Sequence, residues 1–247
     1  MVLARALAVE ADRAFEPAAV LQALEARFPT CRTFLVRGDD GAAFLGASPE
    51  TLLRVDGDEV LTEALAGSAR PGEAPALLRS QKDLREHRWV VEHLVRALQG
   101  LATRVERPAT PSLRELANVA HLYTPVRAQL KAGRSVADVA AALHPTPAVG
   151  GVPGPAARSF LAAHEGLDRG LYAGLVGWVG PEHAELSVAL RSALVRGPRA
   201  RLFVGAGIVD GSLPDAEWDE TALKARALLE ALGARPSAEL GALAGRP

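Results

Sequence analysis

The order of the predicted strands and helices is the feature that most constrains the fold of this chain. Strands are predicted at 2–10 and 32–38, with a helix at 17–27 between them, and residues 42–47 and 51–63 are predicted to form a hairpin that turns at Asp56-Gly57-Asp58. Strands and helices are interspersed along the chain but do not alternate one for one. Because regular alternation is typical of a parallel sheet, this order favours an α+β fold with mainly antiparallel sheets.

A helix over 80–99 is the clearest single element. Ser80 is followed three residues later by Asp83, a pattern that resembles a capping box at a helix start. Apolar residues then recur with the 3.6-residue period of one buried face, at Val90, Val91, Leu94, Val95 and Leu98. This helix is therefore predicted to pack one face against the core.

The remaining elements complete a mixed chain. Further helices are predicted at 135–143, 157–166 and 214–232, further strands at 116–122, 171–179, 185–194 and 199–209, and loops or linkers at 64–76, 106–112 and 144–156. No repeat of fixed period is present, which excludes a solenoid. Residues 1–233 are expected to form a single domain, and residues 234–247 a disordered tail.

Composition narrows the classes of partner and compartment. The formal net charge is −1, which gives no electrostatic case for nucleic acid or an anionic membrane as partner. The sequence has no run of about 18 apolar residues and no signal-peptide pattern, so no membrane span or secretion is expected. Cys31 is the only cysteine, so no internal disulfide can form, and a cytoplasmic location is expected.

Two acidic clusters stand at the starts of predicted helices. Asp83 and Glu86 are three residues apart in sequence, and so are Glu217 and Glu220. On a helix, residues at this spacing lie on one face. Acidic residues are also favoured in the first turn of any helix by its dipole. The clusters are therefore either solvated helix starts or, if the fold brings them together, an oxygen-lined pocket suited to Mg²⁺.

Other positions leave a structural and a functional interpretation open. Glu50 opens an apolar strand and is either an exposed edge residue or a buried carboxylic acid able to donate a proton. Arg191 is predicted to lie on a strand, where it belongs to a solvated face or clamps a carboxylate. Gly205 and Gly207 end a strand and mark either a tight bend or backbone N–H groups that bind a carboxylate.

Seven segments, in order along the chain, resemble those of the chorismate-utilising enzymes. They are Gly46-Ala-Ser-Pro-Glu50, Leu65-Ala-Gly-Ser-Ala-Arg70, Lys82-Asp-Leu-Arg-Glu-His87, Leu143-His-Pro-Thr-Pro-Ala-Val-Gly-Gly151, Leu171-Tyr-Ala-Gly-Leu-Val-Gly-Trp178, Leu202-Phe-Val-Gly-Ala-Gly-Ile-Val209 and Glu217-Trp-Asp-Glu-Thr-Ala-Leu-Lys224. The chain is most similar to isochorismate synthases, because it carries Ala148 where ammonia-using relatives typically carry threonine. The resemblance implies layered, mainly antiparallel sheets flanked by helices.

The resemblance also implies the residues of the site. Glu86 and Glu220 would bind Mg²⁺ directly, Asp83 and Glu217 would bind it through water, and Glu50 would be the general acid. Chorismate would contact Gly67, Ser68, His121, Ala148, Tyr172, Arg191, Gly205, Ala206, Gly207 and Lys224. Lys224 also lies four residues beyond Glu220, so the two side chains could simply pair.

The activity implied by the resemblance is the Mg²⁺-dependent conversion of chorismate to isochorismate for menaquinone biosynthesis, by a monomer or homodimer. The family usually places a catalytic lysine just ahead of the strand that begins here at Met1, with an N-terminal region before it. Two interpretations stay open: either the start of this sequence is placed too late, or the chain is a genuine short form that lacks that base and that region. The alternatives are a sister enzyme forming salicylate, anthranilate or aminodeoxychorismate, and a chorismate-binding protein with little turnover.

Overall fold

Two antiparallel sheets form the frame of the protein in a computed structural model, which describes residues 1–116 and 119–234. The strands are β1 (Val2–Glu10), β2 (Arg32–Arg37), β3 (Ala43–Ser48), β4 (Thr51–Asp56), β5 (Glu59–Ala69), β6 (Ala102–Glu106), β7 (Ser112–Glu115), β8 (Ala120–Leu130), β9 (Leu175–Val179), β10 (His183–Val188), β11 (Ser192–Arg196) and β12 (Arg199–Gly207). The first sheet has the order β1-β12-β11-β3-β2. The second has the order β6-β8-β5-β4-β10-β9, and β7 also pairs with β8.

Six α-helices flank the sheets in the described ranges. They are α1 (Pro17–Arg27), α2 (Ala74–Leu77), α3 (Gln81–Leu101), α4 (Val136–Leu143), α5 (Gly154–His164) and α6 (Pro214–Ala231), and a short 3₁₀ turn (Pro71–Glu73) precedes α2. The predicted α+β class with antiparallel sheets is confirmed, since every strand pairing is antiparallel. None of the helices in the described part of the chain combines the length and the apolar composition needed to cross a bilayer.

Two apolar clusters hold these layers together. One packs α1 and α6 against the first sheet and includes Leu24, Leu45 and Leu228. The other packs α3 and α4 against the second sheet and also includes Phe44 and Phe203 from the first sheet. Because successive residues of a strand point to opposite faces, Phe44 and Leu45 on β3 serve different clusters. The first sheet is therefore covered on both faces, and one of these faces is turned toward the second sheet.

The structure confirms the helix ends that were predicted from capping residues in the sequence. The backbone N–H of Asp83 donates to Ser80 Oγ at 3.2 Å, which caps α3. Ser135 and Asp138 form a full capping box at the start of α4. Helix α6 ends before Gly233, whose φ of +64° lies in the left-handed region that glycine adopts without strain.

The predicted loop at 64–76 is wrong over residues 64–69, because β5 continues through them. Its register with β8 runs from Ala64 opposite Thr124 to Ala69 opposite Ala120, with an irregularity between Ala66 and Ser68. Alanine, glycine and serine have low strand propensity, so the local sequence does not indicate a strand. The pairing with β8 supplies the backbone hydrogen bonds that hold this segment extended.

The single strand predicted at 185–194 is also wrong. The structure has two strands there, β10 ending at Val188 and β11 beginning at Ser192, which belong to different sheets. Arg191 lies in the corner between them with a φ of +47°, and only 7% of it is exposed. The expected strand alternation therefore does not apply to Arg191, and a solvated face is excluded.

Other boundaries differ from the prediction in length. The strand predicted at 171–179 begins at Leu175, and the helix predicted at 157–166 begins at Gly154. Strand β6 includes the first residue of the linker predicted at 106–112. Strand β8 extends well beyond the end of the strand predicted at 116–122. Residues 117–118 of that strand, and residues 235–247 of the predicted tail, lie outside the described residues.

Candidate active site

A pocket opens between the two sheets and the starts of α3 and α6, with about 680 Å³ of empty space including its mouth. Most of the predicted site residues line it, namely Glu50, Gly67, Ser68, Glu86, His121, Ala148, Tyr172, Arg191, Gly205, Gly207, Glu220 and Lys224. These residues come from β5, β8 and β12, from the loops around them, and from α3 and α6. Segments far apart in sequence therefore meet in one cleft.

Glu50 is a buried carboxylic acid at the wall of this pocket. It follows β3, and only 4% of the residue is exposed. Burial raises the pKa of Glu50 to about 8, although the nearby positive charge of Lys224 opposes this shift. The side chain therefore carries a proton at neutral pH, so it can act as a general acid. The alternative of an exposed edge residue is excluded.

His121 and Arg191 form a hydrogen-bonded pair at the base of the pocket. His121 Nδ1 lies 3.0 Å from the carbonyl oxygen of Gly67, and His121 Nε2 lies 3.2 Å from Arg191 Nη2. Burial and the positive charges of Arg191 and Lys224 lower the pKa of His121 to about 3, so the ring is neutral. Its proton is placed on Nδ1, which donates to the carbonyl, and Nε2 then accepts from the guanidinium.

The protein does not satisfy all the hydrogen-bond donors of the Arg191 guanidinium. Its Nη1 is buried and has no hydrogen-bond partner in the structure. A buried, unpaired positive donor is costly unless a ligand completes it. Arg191 is therefore poised to bind an anionic group such as a carboxylate, and His121 orients it.

Glu86 and Glu220 bring two carboxylates to the same pocket. Burial and the negative charge of Glu220 raise the pKa of Glu86 to about 7. Burial acts to raise the pKa of Glu220, but the charge and hydrogen bond of Lys224, the hydrogen bond of Ser68 and the charge of Lys82 together outweigh burial and lower this pKa. Lys224 Nζ lies 2.6 Å from Glu220 Oε1 and donates to the carbonyl oxygen of Gly205 at 3.0 Å. Lys224 therefore both lines the pocket and pairs with Glu220.

Two glycines of β12 let side chains approach its backbone. A Cβ atom at Gly207 would stand 2.2 Å from Glu86 Oε1, and one at Gly205 would stand 3.0 Å from the Tyr172 hydroxyl oxygen. Tyr172 is buried and stacks on Phe203 with ring centroids 5.5 Å apart. Glycine at these positions is therefore explained by the space that Glu86 and Tyr172 occupy.

Replacing Gly207 by Ala should displace the Glu86 carboxylate without unfolding the protein, because the overlap is with the far end of a flexible side chain. If Glu86 binds the cation, we expect Mg²⁺ affinity to fall about 10-fold or more, the scale seen when a metal ligand loses its support. Isothermal titration calorimetry measures this. Gly100→Ala is the matched control, since a Cβ there meets nothing within 4 Å. Unchanged Mg²⁺ binding in Gly207→Ala would contradict the assignment.

Three predicted site residues do not line the pocket. Ala206 is buried between Gly205 and Gly207, and strand alternation turns its side chain to the other face of the sheet. Asp83 lies beside Gly67, where a Cβ would stand 3.1 Å from Asp83 Cβ. Glu217 is buried and accepts a hydrogen bond from Lys82 Nζ at 2.6 Å.

Sequence reasoning missed several residues around the site. Val2, Leu190 and Phe203 contribute apolar walls to the pocket, and Lys82 binds Glu217. The apolar residues carry no chemical signal in sequence, because any core residue looks the same. Lys82 does carry one, since it lies directly before Asp83 in a segment already singled out, but a surface lysine at a helix start is the ordinary interpretation.

The residues present fit a hard divalent cation. Glu86 and Glu220 supply carboxylate oxygens in one pocket and repel each other, a repulsion that a cation would relieve. Within residues 1–116 and 119–234, no three His, Cys, Asp or Glu side chains converge closely enough to hold an ion by themselves. Such a site suits Mg²⁺, which is commonly bound through one or two carboxylates and completes its shell with water and substrate.

Comparison with known proteins agrees with this pocket. The family model of chorismate binding enzymes matches residues 1–233. This chain belongs to the chorismate-binding enzyme family. The seven segments that carried the resemblance all lie within the matched range, so the family assignment made from sequence is confirmed.

Named relatives of this chorismate-binding chain are isochorismate synthases. It is 45% identical over 228 residues to the salicylate biosynthesis isochorismate synthase of Pseudomonas aeruginosa, covering 89% of this chain and 48% of that protein. It is 38% identical over 242 residues to the isochorismate synthase MenF of Bacillus subtilis, covering 94% of this chain and 51% of that protein. The chain therefore spans about half the length of these curated relatives.

Solved structures extend the similarity to the fold. The menaquinone-specific isochorismate synthase MenF of Escherichia coli matches with a TM-score of 0.86 and 35% identity, over 94% of this chain and 55% of that one. Anthranilate synthase component I of Streptococcus pneumoniae matches with a TM-score of 0.80 and 27% identity, over 92% of this chain and 52% of that one. The layered fold implied by the resemblance is thus confirmed.

Proposed function

We propose that this protein converts chorismate to isochorismate, by adding water at carbon 2 of the ring as the hydroxyl at carbon 4 departs. The observation that carries the proposal is the placement of a protonated acid, Glu50, in the same pocket as the unpaired guanidinium of Arg191. A dianionic substrate with a hydroxyl leaving group needs both a buried cation and a proton donor. The relatives named as isochorismate synthases support the same activity.

Two groups of pocket residues divide the binding of the two substrate carboxylates. Arg191, fixed by His121, binds the enolpyruvyl carboxylate through its free Nη1. Glu86 and Glu220 would hold Mg²⁺ in the same pocket, where the ion would neutralise them and attract the ring carboxylate. Lys224, beside Glu220, adds positive charge on the same side. Binding both carboxylates fixes the orientation of the ring relative to Glu50.

Glu50 then acts on the leaving group. Its proton passes to the oxygen of the departing 4-hydroxyl, so that water rather than hydroxide is released as the new carbon–oxygen bond forms at carbon 2. The attacking water gives up one proton to solvent, and Glu50 takes a proton from solvent before the next turnover. The nucleophile is water because Ala148, in the pocket lining, replaces the threonine of ammonia-using relatives. An alanine offers no hydroxyl to hold an amine in place.

Because Glu50 must be protonated to act as the acid, we expect kcat/KM to decrease at alkaline pH. The pKa of Glu50 is raised to about 8, so the acid form dominates below pH 8 and is lost above it. We therefore expect kcat/KM to fall about 10-fold per pH unit well above pH 8, since kcat/KM reports groups of the free enzyme. Steady-state rates between pH 6 and about 10 measure this. A profile that stays flat to its alkaline end would contradict the role of Glu50.

Product analysis tests the proposed function directly. The chain is incubated with chorismate and Mg²⁺, with and without ammonium, and the products are resolved by chromatography. Isochorismate alone is the expected product. Anthranilate or aminodeoxychorismate formed with ammonium, or salicylate formed with pyruvate, would replace this proposal by a sister activity.

A second candidate is a chorismate-binding protein with little turnover. It is favoured by the lysine content of the pocket: among its described lining residues Lys224 is the one lysine, and it is paired with Glu220. A paired, protonated lysine is a poor base for activating water. This candidate predicts Mg²⁺-dependent chorismate binding by calorimetry without product. Turnover by a version extended upstream through a lysine would return the assignment to the enzyme.

We also propose that the product serves menaquinone biosynthesis in the cytoplasm, in line with the family resemblance and the named MenF relatives. Deleting the gene and measuring menaquinone tests the pathway. Loss of a salicylate-derived product instead, with menaquinone unchanged, would assign the chain to the pathway in the name of the Pseudomonas relative.

A further inference from the structure

Lys82 joins the two acidic helix starts across the site. It lies in the first turn of α3, and its Nζ is 2.6 Å from Oε1 of Glu217 in the first turn of α6. The side chain of Glu217 is only 7% exposed, so this carboxylate depends on the protein for its counter-charge. Lys82 itself is 30% exposed, so it can supply that charge while keeping contact with water.

The Lys82–Glu217 pair changes which carboxylates face the pocket. Glu86 and Glu220 line it, whereas Glu217 is turned toward Lys82. In the described residues no three acidic, histidine or cysteine side chains converge on one point. Cation sites bind more tightly as more carboxylates reach the ion. Lys82 therefore keeps a potential third carboxylate away from the Glu86–Glu220 pair.

Lys82 also sets the charge of the whole site. The formal charges of Asp83, Glu86, Glu217 and Glu220 together with those of Lys82 and Lys224 give a net charge of −2. The charge of Lys82 acts on Glu86 and Glu220 as well as on its direct partner. A charge of −2 matches one divalent cation. Without Lys82 the site would carry −3.

We propose that Lys82 is a positioning residue that limits the cation affinity of the site, by holding Glu217 out of reach of the ion and by cancelling one negative charge. This inference rests on the proposed Mg²⁺ site. The limit has a use, because an ion held by only two protein carboxylates retains positive charge and open positions for the carboxylate of the substrate. A third carboxylate would weaken that attraction for a dianionic substrate.

Mg²⁺ titration of the full chain by calorimetry tests the proposal without any activity readout. Lys82→Gln should bind Mg²⁺ on the order of 10-fold more tightly, the effect of one charge several ångströms away in a partly solvated site. Lys131→Gln removes a distant lysine whose Nζ binds the carbonyl oxygen of Gly100, and it should leave affinity unchanged. A merely structural role for Lys82 predicts the opposite sign, so weaker or unchanged binding in Lys82→Gln overturns the proposal.

Three further variants keep the test independent of one substitution. Glu217→Gln should weaken Mg²⁺ binding, since it leaves Lys82 unpaired beside the ion. The double variant Lys82→Gln with Glu217→Gln restores the charge of −2 and should return affinity to within about 3-fold of the wild type, whereas independent effects would not cancel in this way. Lys82→Arg keeps the charge and should match the wild type. If the wild-type chain binds no Mg²⁺, the proposed metal site itself fails.

Discussion

Replacing Glu50 by Gln is expected to lower kcat for isochorismate formation by at least about 10²-fold while chorismate still binds. Glutamine keeps the shape of the side chain but has no acidic proton to give to the departing hydroxyl. The free protein should remain folded, because Glu50 is already uncharged at neutral pH and the amide replaces one neutral buried group by another. Steady-state kinetics together with chorismate titration separate the two effects.

The pH profile of the same variant supplies the control. If Glu50 is the acid, Glu50→Gln should lose the fall in kcat/KM above pH 8 as well as the rate, because the titrating group is gone. A half-buried acid, Glu63, influences the pKa of Glu50 but lies outside the pocket, where Arg114 binds it in a bidentate pair. Glu63→Gln should therefore keep most of the rate. Unchanged turnover in Glu50→Gln would remove Glu50 from the mechanism.

Burial explains why one pocket can hold carboxylates with different tasks. Glu50 is protonated because it is enclosed and has no direct cationic partner, whereas Glu220 remains charged because Lys224 lies 2.6 Å away. The environment thus assigns one carboxyl to proton transfer and another to cation binding. The same residue type in sequence gives no hint of this division.

Helices were the most predictable part of the fold, because their ends depend on local chemistry. The Ser80 cap of α3, the capping box of α4 and the glycine after α6 are all visible in a few residues of sequence. The second half of β5 was not predictable, because Ala64–Ala69 has weak strand propensity and is held by β8. Non-local pairing is invisible to a reading of single segments.

Site residues were predictable from sequence where a short motif contains the reactive or ion-binding side chain. The two acidic pairs and the Ser-Pro-Glu segment identified Glu86, Glu220 and Glu50, all of which line the pocket. Arg191 was assigned to the face of a strand, but the corner between β10 and β11 turns it into the interior with a left-handed backbone. Such a corner forms where two sheets meet. The alternation of inward and outward side chains along a single strand gives no information about such a meeting.

The buried corner makes Arg191 the site of the second large effect. Replacing Arg191 by Met keeps an unbranched side chain but removes the guanidinium proposed to bind the enolpyruvyl carboxylate of chorismate. Among the described residues of the pocket lining, no other charged donor comes from this corner. We expect the Kd for chorismate to rise by about 10²-fold, since hydrogen bonds to charged groups contribute about 1.5–3 kcal/mol each and more than one is lost. Calorimetric titration with chorismate in the presence of Mg²⁺ measures this.

The stability of the Arg191→Met protein distinguishes a binding residue from a structural one. In the free protein Arg191 Nη1 has no partner, so removing the buried charge relieves a cost that offsets the lost hydrogen bond to His121. The thermal midpoint should therefore change by less than about 4 °C, the shift that about 1 kcal/mol produces in a domain of this size. Arg191→Lys keeps the positive charge but not the planar pair of N–H donors. The chorismate affinity of Arg191→Lys should therefore lie between those of the wild type and Arg191→Met. A variant that loses many degrees of thermal stability but still binds chorismate normally would show that Arg191 supports the corner and not the substrate.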